Sequence, residues 1–134
     1  MLKVSERVNL AVHALGYMAA KAEGRTVAVA ELADTLDVSV SHLAKVMQIL
    51  VRGGFVRSTR GARGGFVLTR EPETLTILEI YEAVEGPVTR PQCLLGHPIC
   101  RPDSCILKDL LDDMTVLIRS RLGNKTISDF VVDV

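Results

Sequence analysis

Three apolar stripes of helical period, each closed by a turn signal, fill the first part of this chain and lead into a glycine- and arginine-rich hairpin pattern. Few folds accommodate that order. From Val4 to Ala22, the residues Val8, Ala11, Val12, Leu15, Ala19 and Ala22 recur at three- and four-residue intervals, the signature of an amphipathic helix, and Gly24 ends it. A shorter helix is predicted over Val29 to Leu36, with Ala30, Ala33 and Leu36 inward. After the polar turn Asp37-Val38-Ser39, a third helix turns Leu43, Val46, Met47, Leu50 and Val51 to the core until Gly53-Gly54 stops it. Helix, tight turn, helix is the outline of a helix-turn-helix. Phe55 to Thr59 then reads as a strand, Arg60 to Gly65 as a turn and Phe66 to Thr69 as the returning strand, which together make a wing.

With 134 residues, 48% of them hydrophobic, the chain has material for one core and little for a second. Its formal charge is zero, which taken alone argues against a nucleic-acid binder, but the charge is unevenly spread. Residues 1–70 hold ten Lys/Arg against five Asp/Glu, and residues 71–134 hold six against eleven. A basic front half suits phosphates while an acidic back half stays clear of them. The opening Met1 to Asn9 stretch is charged with no long apolar core behind it, so no secretory signal is expected. No run approaches the ~18 apolar residues of a membrane span. A cytoplasmic protein with no membrane partner is the expectation.

In the second half, Thr76 and Glu79 have the spacing of a capping box, and a helix is expected from there to Gly86-Pro87, burying Ile77, Ile80, Tyr81 and Val84. A loop from Pro87 to Pro102 follows, with four of the five prolines, which stiffen a backbone without making it helical. Pro102-Asp103-Ser104 is read as the start of a long helix in which Leu107, Leu110, Leu111, Met114, Leu117 and Ile118 repeat at threes and fours. So little chain remains to cover that seam that a partner helix from a second copy is the simplest cover. A short last helix is expected from Thr126 to Val132, packed back on the first helices.

The fold class is therefore mainly α with a small β-hairpin wing: a winged helix-turn-helix plus a long dimerisation helix. Its expected organisation is a DNA-binding domain over 1–86, a cysteine-bearing sensor loop over 87–102 and a dimerisation helix with a C-terminal helix over 103–134. On the third helix Ser41, Lys45 and Gln48 share one face, with His42 beside them and Ser39 at the helix start, opposite the apolar stripe. Such side chains fit a major groove and reach base edges or phosphates. An isolated helix with this face would be read as merely solvated; its place between a tight turn and an arginine-rich hairpin favours DNA. Arg57, Arg60, Arg63 and Gly64 extend the surface onto the wing, whose tip suits the electronegative minor groove. The glycines do not make a nucleotide-binding loop, because no Lys-Ser/Thr and no helix follow them.

All three cysteines, Cys93, Cys100 and Cys105, fall within thirteen residues. Six residues separate the first pair and four the second, and neither gap has the two-residue spacing of common zinc sites. Long gaps suit an iron–sulfur cluster, which thiolates ordinarily ligate. Cys105, placed in the first turn of the long helix, is equally suited to be a redox-reactive thiol. An odd number of clustered thiols in a reducing compartment argues against a structural disulfide.

The wing Arg60-Gly61-Ala62-Arg63-Gly64-Gly65-Phe66, the segment Ile80-Tyr81-Glu82-Ala83-Val84-Glu85-Gly86 and the three-cysteine loop before a dimer helix resemble the Rrf-two family of winged-helix transcription regulators, whose members include iron–sulfur cluster (IscR-like) and nitric-oxide-sensing (NsrR-like) regulators. The resemblance spans nearly the whole chain. It implies a homodimer on double-stranded DNA with a near-palindromic operator, and a cluster held by Cys93, Cys100, Cys105 and one non-cysteine ligand. In the family the two gaps are equal; here the first is longer by one residue and the second shorter by one. The family's fourth ligand does not carry over: Lys108 stands where one branch has His, and Asn9 where the other has Asp. An ammonium cannot ligate iron and a neutral amide does so poorly. His97, Glu6, His13 and Asn9 are the remaining candidates.

The reading is a regulator, not an enzyme, whose operator binding answers to a cluster, [2Fe–2S] before [4Fe–4S]. Its alternative is a cluster-free thiol-based redox repressor of the same fold. No His stands as an evident base beside a cysteine nucleophile. The stimulus, the target genes and the sense of regulation are not written in the sequence.

Overall fold

The computed structural model of the chain describes residues 4–22, 24–90, 93, 95, 97–101 and 103–130. In order it runs α1 (Glu6–Tyr17), α2 (Val29–Leu36), α3 (Val40–Arg52), β1 (Val56–Thr59), β2 (Gly65–Leu68), α4 (Ile77–Glu85) and α5 (Lys108–Gly123). The helices start where side chains satisfy free N–H groups. Ser5 Oγ accepts from Val8 N at 3.2 Å, Ser39 Oγ from His42 N at 3.1 Å, and Thr76 and Glu79 form the expected reciprocal box. Asp37 closes α2 in the left-handed region (φ 54°), and Val38 N then reaches back to Ala33 O at 3.0 Å. That short cap is what turns the chain tightly enough to set α3 across α2.

Leu15, Met18, Leu43, Met47, Leu50, Leu75 and Ile80 are fully buried in one core shared by α1, α3 and α4. Each contributes about 1.5–3 kcal/mol by leaving water. The hairpin is antiparallel, with Val56 opposite Leu68 and Thr59 opposite Gly65. Phe55 and Phe66 sink into the core while Arg57 and Ser58 face out. A third stretch of backbone joins the wing, because Val27 and Phe66 exchange two hydrogen bonds of 2.8 Å. Gly65 is required at this crossing: an added Cβ would press on the Val27 carbonyl and come within 2.8 Å of Ala28 Cα.

The chain after α5 returns to the core. Ile77 N bonds Lys125 O and Ile127 N bonds Leu75 O, both at 2.9 Å, which buries Ile127. Phe130 lies against Gly16 of α1, where a side chain on residue 16 would collide with its ring.

Several boundaries differ from the sequence reading. The first helix ends at Tyr17 and continues as one π-helical turn, Met18–Ala22. Gly65 belongs to β2, because its pairing with Thr59 outweighs the turn propensity of glycine. The long helix begins at Lys108, so Cys105 precedes it and does not sit in its first turn. Ser104 N and Ser104 Oγ instead bond Arg101 O and form a separate turn. The last helix is a single 3-10 turn, Ile127–Asp129, closed by a Thr126–Asp129 box; Val131 and Val132 lie outside the described residues.

Candidate nucleic-acid interface and cysteine loop

Burying Leu43, Val46, Met47 and Leu50 forces Ser41, Lys45 and Gln48 of α3 outward, and all three are exposed. Ser39 caps the helix from an exposed position, and His42 is partly covered. On the wing Arg57, Arg60 and Arg63 are exposed, and Gly64 sits half-buried under the tip, its N bonded to Gly61 O at 2.9 Å. Arg52 extends the α3 face by a further step of four and was missed in the sequence reading, although its spacing from Gln48 was the available signal.

Charge pairing distinguishes two groups of cations. Arg7, Arg25, Arg70, Arg90 and Arg119 each face a carboxylate, respectively Glu85, Glu31, Glu79, Asp112 and Glu82. Among the described residues, Lys45, Arg52, Arg57, Arg60 and Arg63 have no such partner. Lys21, Arg101, Arg121 and Lys125 are also without a carboxylate partner among the described residues, but they are scattered over other elements, whereas the cations of α3 and the wing are clustered and keep their full field for an external anion. Glu6, at the start of α1, approaches the first turn of α3, with its Oε1 3.7 Å from His42 Nδ1.

The cysteine loop is stapled at its root. Glu82 of α4 accepts from Val88 N at 2.8 Å, and Arg119 of α5 donates to Val88 O at 2.9 Å. Arg90 Nε stands 2.5 Å from Asp112, which also takes Lys108 Nζ at 3.0 Å. A shift of this loop thus pulls on α4, which packs directly on α3, and on α5.

All three thiols are free; Cys93 and Cys105 are half-buried and Cys100 is exposed. Cys93 Sγ accepts from Leu95 N at 3.4 Å. Among the described residues, no three His, Cys, Asp or Glu side chains are gathered closely enough to hold a metal ion. The other candidate ligands are engaged elsewhere or stand in solvent. His97 is exposed, Glu6 faces His42, and His13 Nδ1 is 2.7 Å from Asn9 O with its ring edge-on to Phe130. The donor set still fits a cluster in kind, three soft thiol ligands on one irregular loop.

Fold and surface together define a winged helix-turn-helix transcription regulator. The Rrf2 family model, described as an iron-dependent transcriptional regulator, matches residues 4–133, and the chain belongs to that family. A protein of Aquifex aeolicus (strain VF5) described as an HTH-type transcriptional regulator is 33% identical over 130 residues, covering 95% of this chain and 90% of that one. Among solved structures, T. potens IscR is 25% identical with a TM-score of 0.77, covering 96% of this chain and 85% of its own. CymR, the global cysteine regulator of B. subtilis, is 27% identical at the same TM-score, with 96% and 95% covered. These relatives are regulators and not enzymes. No helix among the described residues is long and apolar enough to cross a membrane.

Proposed function

We propose that this chain works in the cytoplasm as a homodimer that grips a near-palindromic operator with two copies of α3 and the wing, and that Cys93, Cys100 and Cys105 hold an iron–sulfur cluster that sets the strength of that grip. The observation that carries the DNA-reading surface is the set of unpaired cations on α3 and the wing. Ser41, Lys45 and Gln48 face the major groove, and Arg57, Arg60 and Arg63 reach phosphates or the adjoining minor groove. The second copy covers Leu110, Val116 and Leu117 of α5, which are otherwise 55%, 69% and 54% exposed. A symmetric pair presents two α3 helices about one turn of duplex apart, or a multiple of it.

When bound, a cluster supplies a centre responsive to iron and to redox state, [2Fe–2S] being favoured here over [4Fe–4S]. The residues that relay its influence are Glu82, Arg90, Asp112 and Arg119, since they tie the loop's root to the helix behind α3 and to the dimer helix. A second reading, a cluster-free thiol sensor, is favoured by one observation: among the described residues the three sulfurs are not gathered into a metal-binding group. The likeness to the global cysteine regulator of B. subtilis is in keeping with a response to thiol chemistry.

Assay of iron and acid-labile sulfide after anaerobic purification separates the two. The cluster reading expects both in stoichiometric amount and their loss in Cys93→Ser, Cys100→Ser and Cys105→Ser. A colourless native protein whose affinity for duplexes selected from a random library still changes with thiol oxidation would replace it with the second reading.

A further inference from the structure

Glu6 brings a negative charge to the first turn of α3, and although its side chain is exposed its backbone does not sit there loosely. Its neighbours are both tied to the end of α4: Ser5 Oγ donates to Glu85, and Arg7 pairs with the same carboxylate at 3.5 Å. Ser5 also caps α1 by accepting from Val8 N. The backbone of residue 6 is thus held on both sides, and its side chain reaches His42 in the first turn of α3. His42 is fixed in turn, because its backbone N–H donates to the Ser39 cap.

We infer that Glu6 is a specificity-determining residue for DNA, acting through His42 by fixing which ring nitrogen carries the proton. The inference rests on the reading of α3 as the helix in the major groove. At 3.7 Å the carboxylate is beyond hydrogen-bond length from Nδ1, but its field favours the neutral tautomer that carries its proton on that nitrogen. Nε2 is then an acceptor, and among the described residues nothing bonds to it. An acceptor at this position matches the exocyclic amines of adenine or cytosine in the major groove and meets repulsion at guanine, which offers only O6 and N7 acceptors there. Removing the charge frees the proton to move to Nε2, and the same ring then donates, which suits guanine. A carboxylate this near the phosphates also opposes non-specific binding, where no base contact compensates.

The test is selection from a duplex library randomised across both half-sites, at mildly alkaline pH where imidazoles are neutral, with wild-type protein and the Glu6→Gln, His42→Ala and double variants. Wild-type protein is expected to favour adenine or cytosine over guanine at one symmetric position by roughly tenfold. Glu6→Gln should collapse or reverse that preference while leaving iron content and thermal stability unchanged, and it should add nothing on the His42→Ala background. If His42→Ala alters selection but Glu6→Gln does not, the inference is overturned and the DNA-reading face stands. If His42→Ala leaves every base preference intact, His42 does not read bases and the inference is overturned, whereas the reading of α3 fails only if Ser41→Ala, Lys45→Ala and Gln48→Ala leave affinity and preference intact as well. Loss of iron in Glu6→Gln would make Glu6 a ligand and overturn the inference by another route.

Discussion

Replacing Gly65 with alanine strikes the backbone crossing at which the wing is hydrogen-bonded to Val27. The residue lies at φ 153° with its Cα facing the Val27–Ala28 backbone, so a new Cβ would come within 2.6 Å of the Val27 carbonyl carbon. Neither neighbour can rotate aside, because both are main chain. Relief requires the wing to back away, which breaks the two 2.8 Å hydrogen bonds between Val27 and Phe66. Each is worth about 0.5–1.5 kcal/mol net, and strained backbone adds about 1 kcal/mol or more. A loss of about 3 kcal/mol should lower Tm by roughly 10 °C for a chain of this size. Urea titration followed by circular dichroism measures it, and a duplex-binding assay should show weakened binding because Arg57, Arg60 and Arg63 ride on the displaced hairpin. Gly61→Ala is the control: its φ is 107°, but nothing lies within 4 Å of its would-be Cβ, so it bears backbone strain without a collision. Equal and small effects of the two substitutions would refute the steric argument.

Leu117→Asp should leave the helical spectrum intact, because the residue is 54% exposed in the single chain, yet yield a monomer in sedimentation, since a dimer would have to bury an unpaired carboxylate. A persistent dimer would remove α5 from the interface. The Arg25 guanidinium, and after it the Tyr17 hydroxyl, hydrogen-bond Glu31 and hold its carboxyl below the ordinary range near 4.5. A depressed native value stabilises the fold above the unfolded value and loses that contribution as pH falls through the native one. Glu31→Gln should therefore be less stable than wild type at neutral pH and converge with it in acid; a pH-independent gap between their urea midpoints would contradict the assignment.

Much of the architecture was legible because it follows from local signals. The stripes at three- and four-residue spacing mark which faces of α1 and α3 are buried, and Ser39, Thr76 and the glycine pair after Arg52 mark helix ends by hydrogen-bonding chemistry that acts within a few residues. The outward set Ser41, Lys45 and Gln48 was legible for the same reason, as the complement of the buried stripe. The start of α5 was misread because Asp103 and Ser104 have the composition of a helix cap but are used in a separate turn at Arg101.

What the sequence determined by itself is thus the winged helix-turn-helix and the presence of three thiols beside it, since periodicity and composition are properties of the chain alone. Tertiary structure decided which arginines are free and which are neutralised, because an ion pair such as Arg119–Glu82 joins residues far apart in the chain. It decided that Val27 completes the wing, that Phe130 covers Gly16, and that Glu6 belongs to His42. Those contacts depend on how helices cross, and no local preference of the chain encodes a crossing.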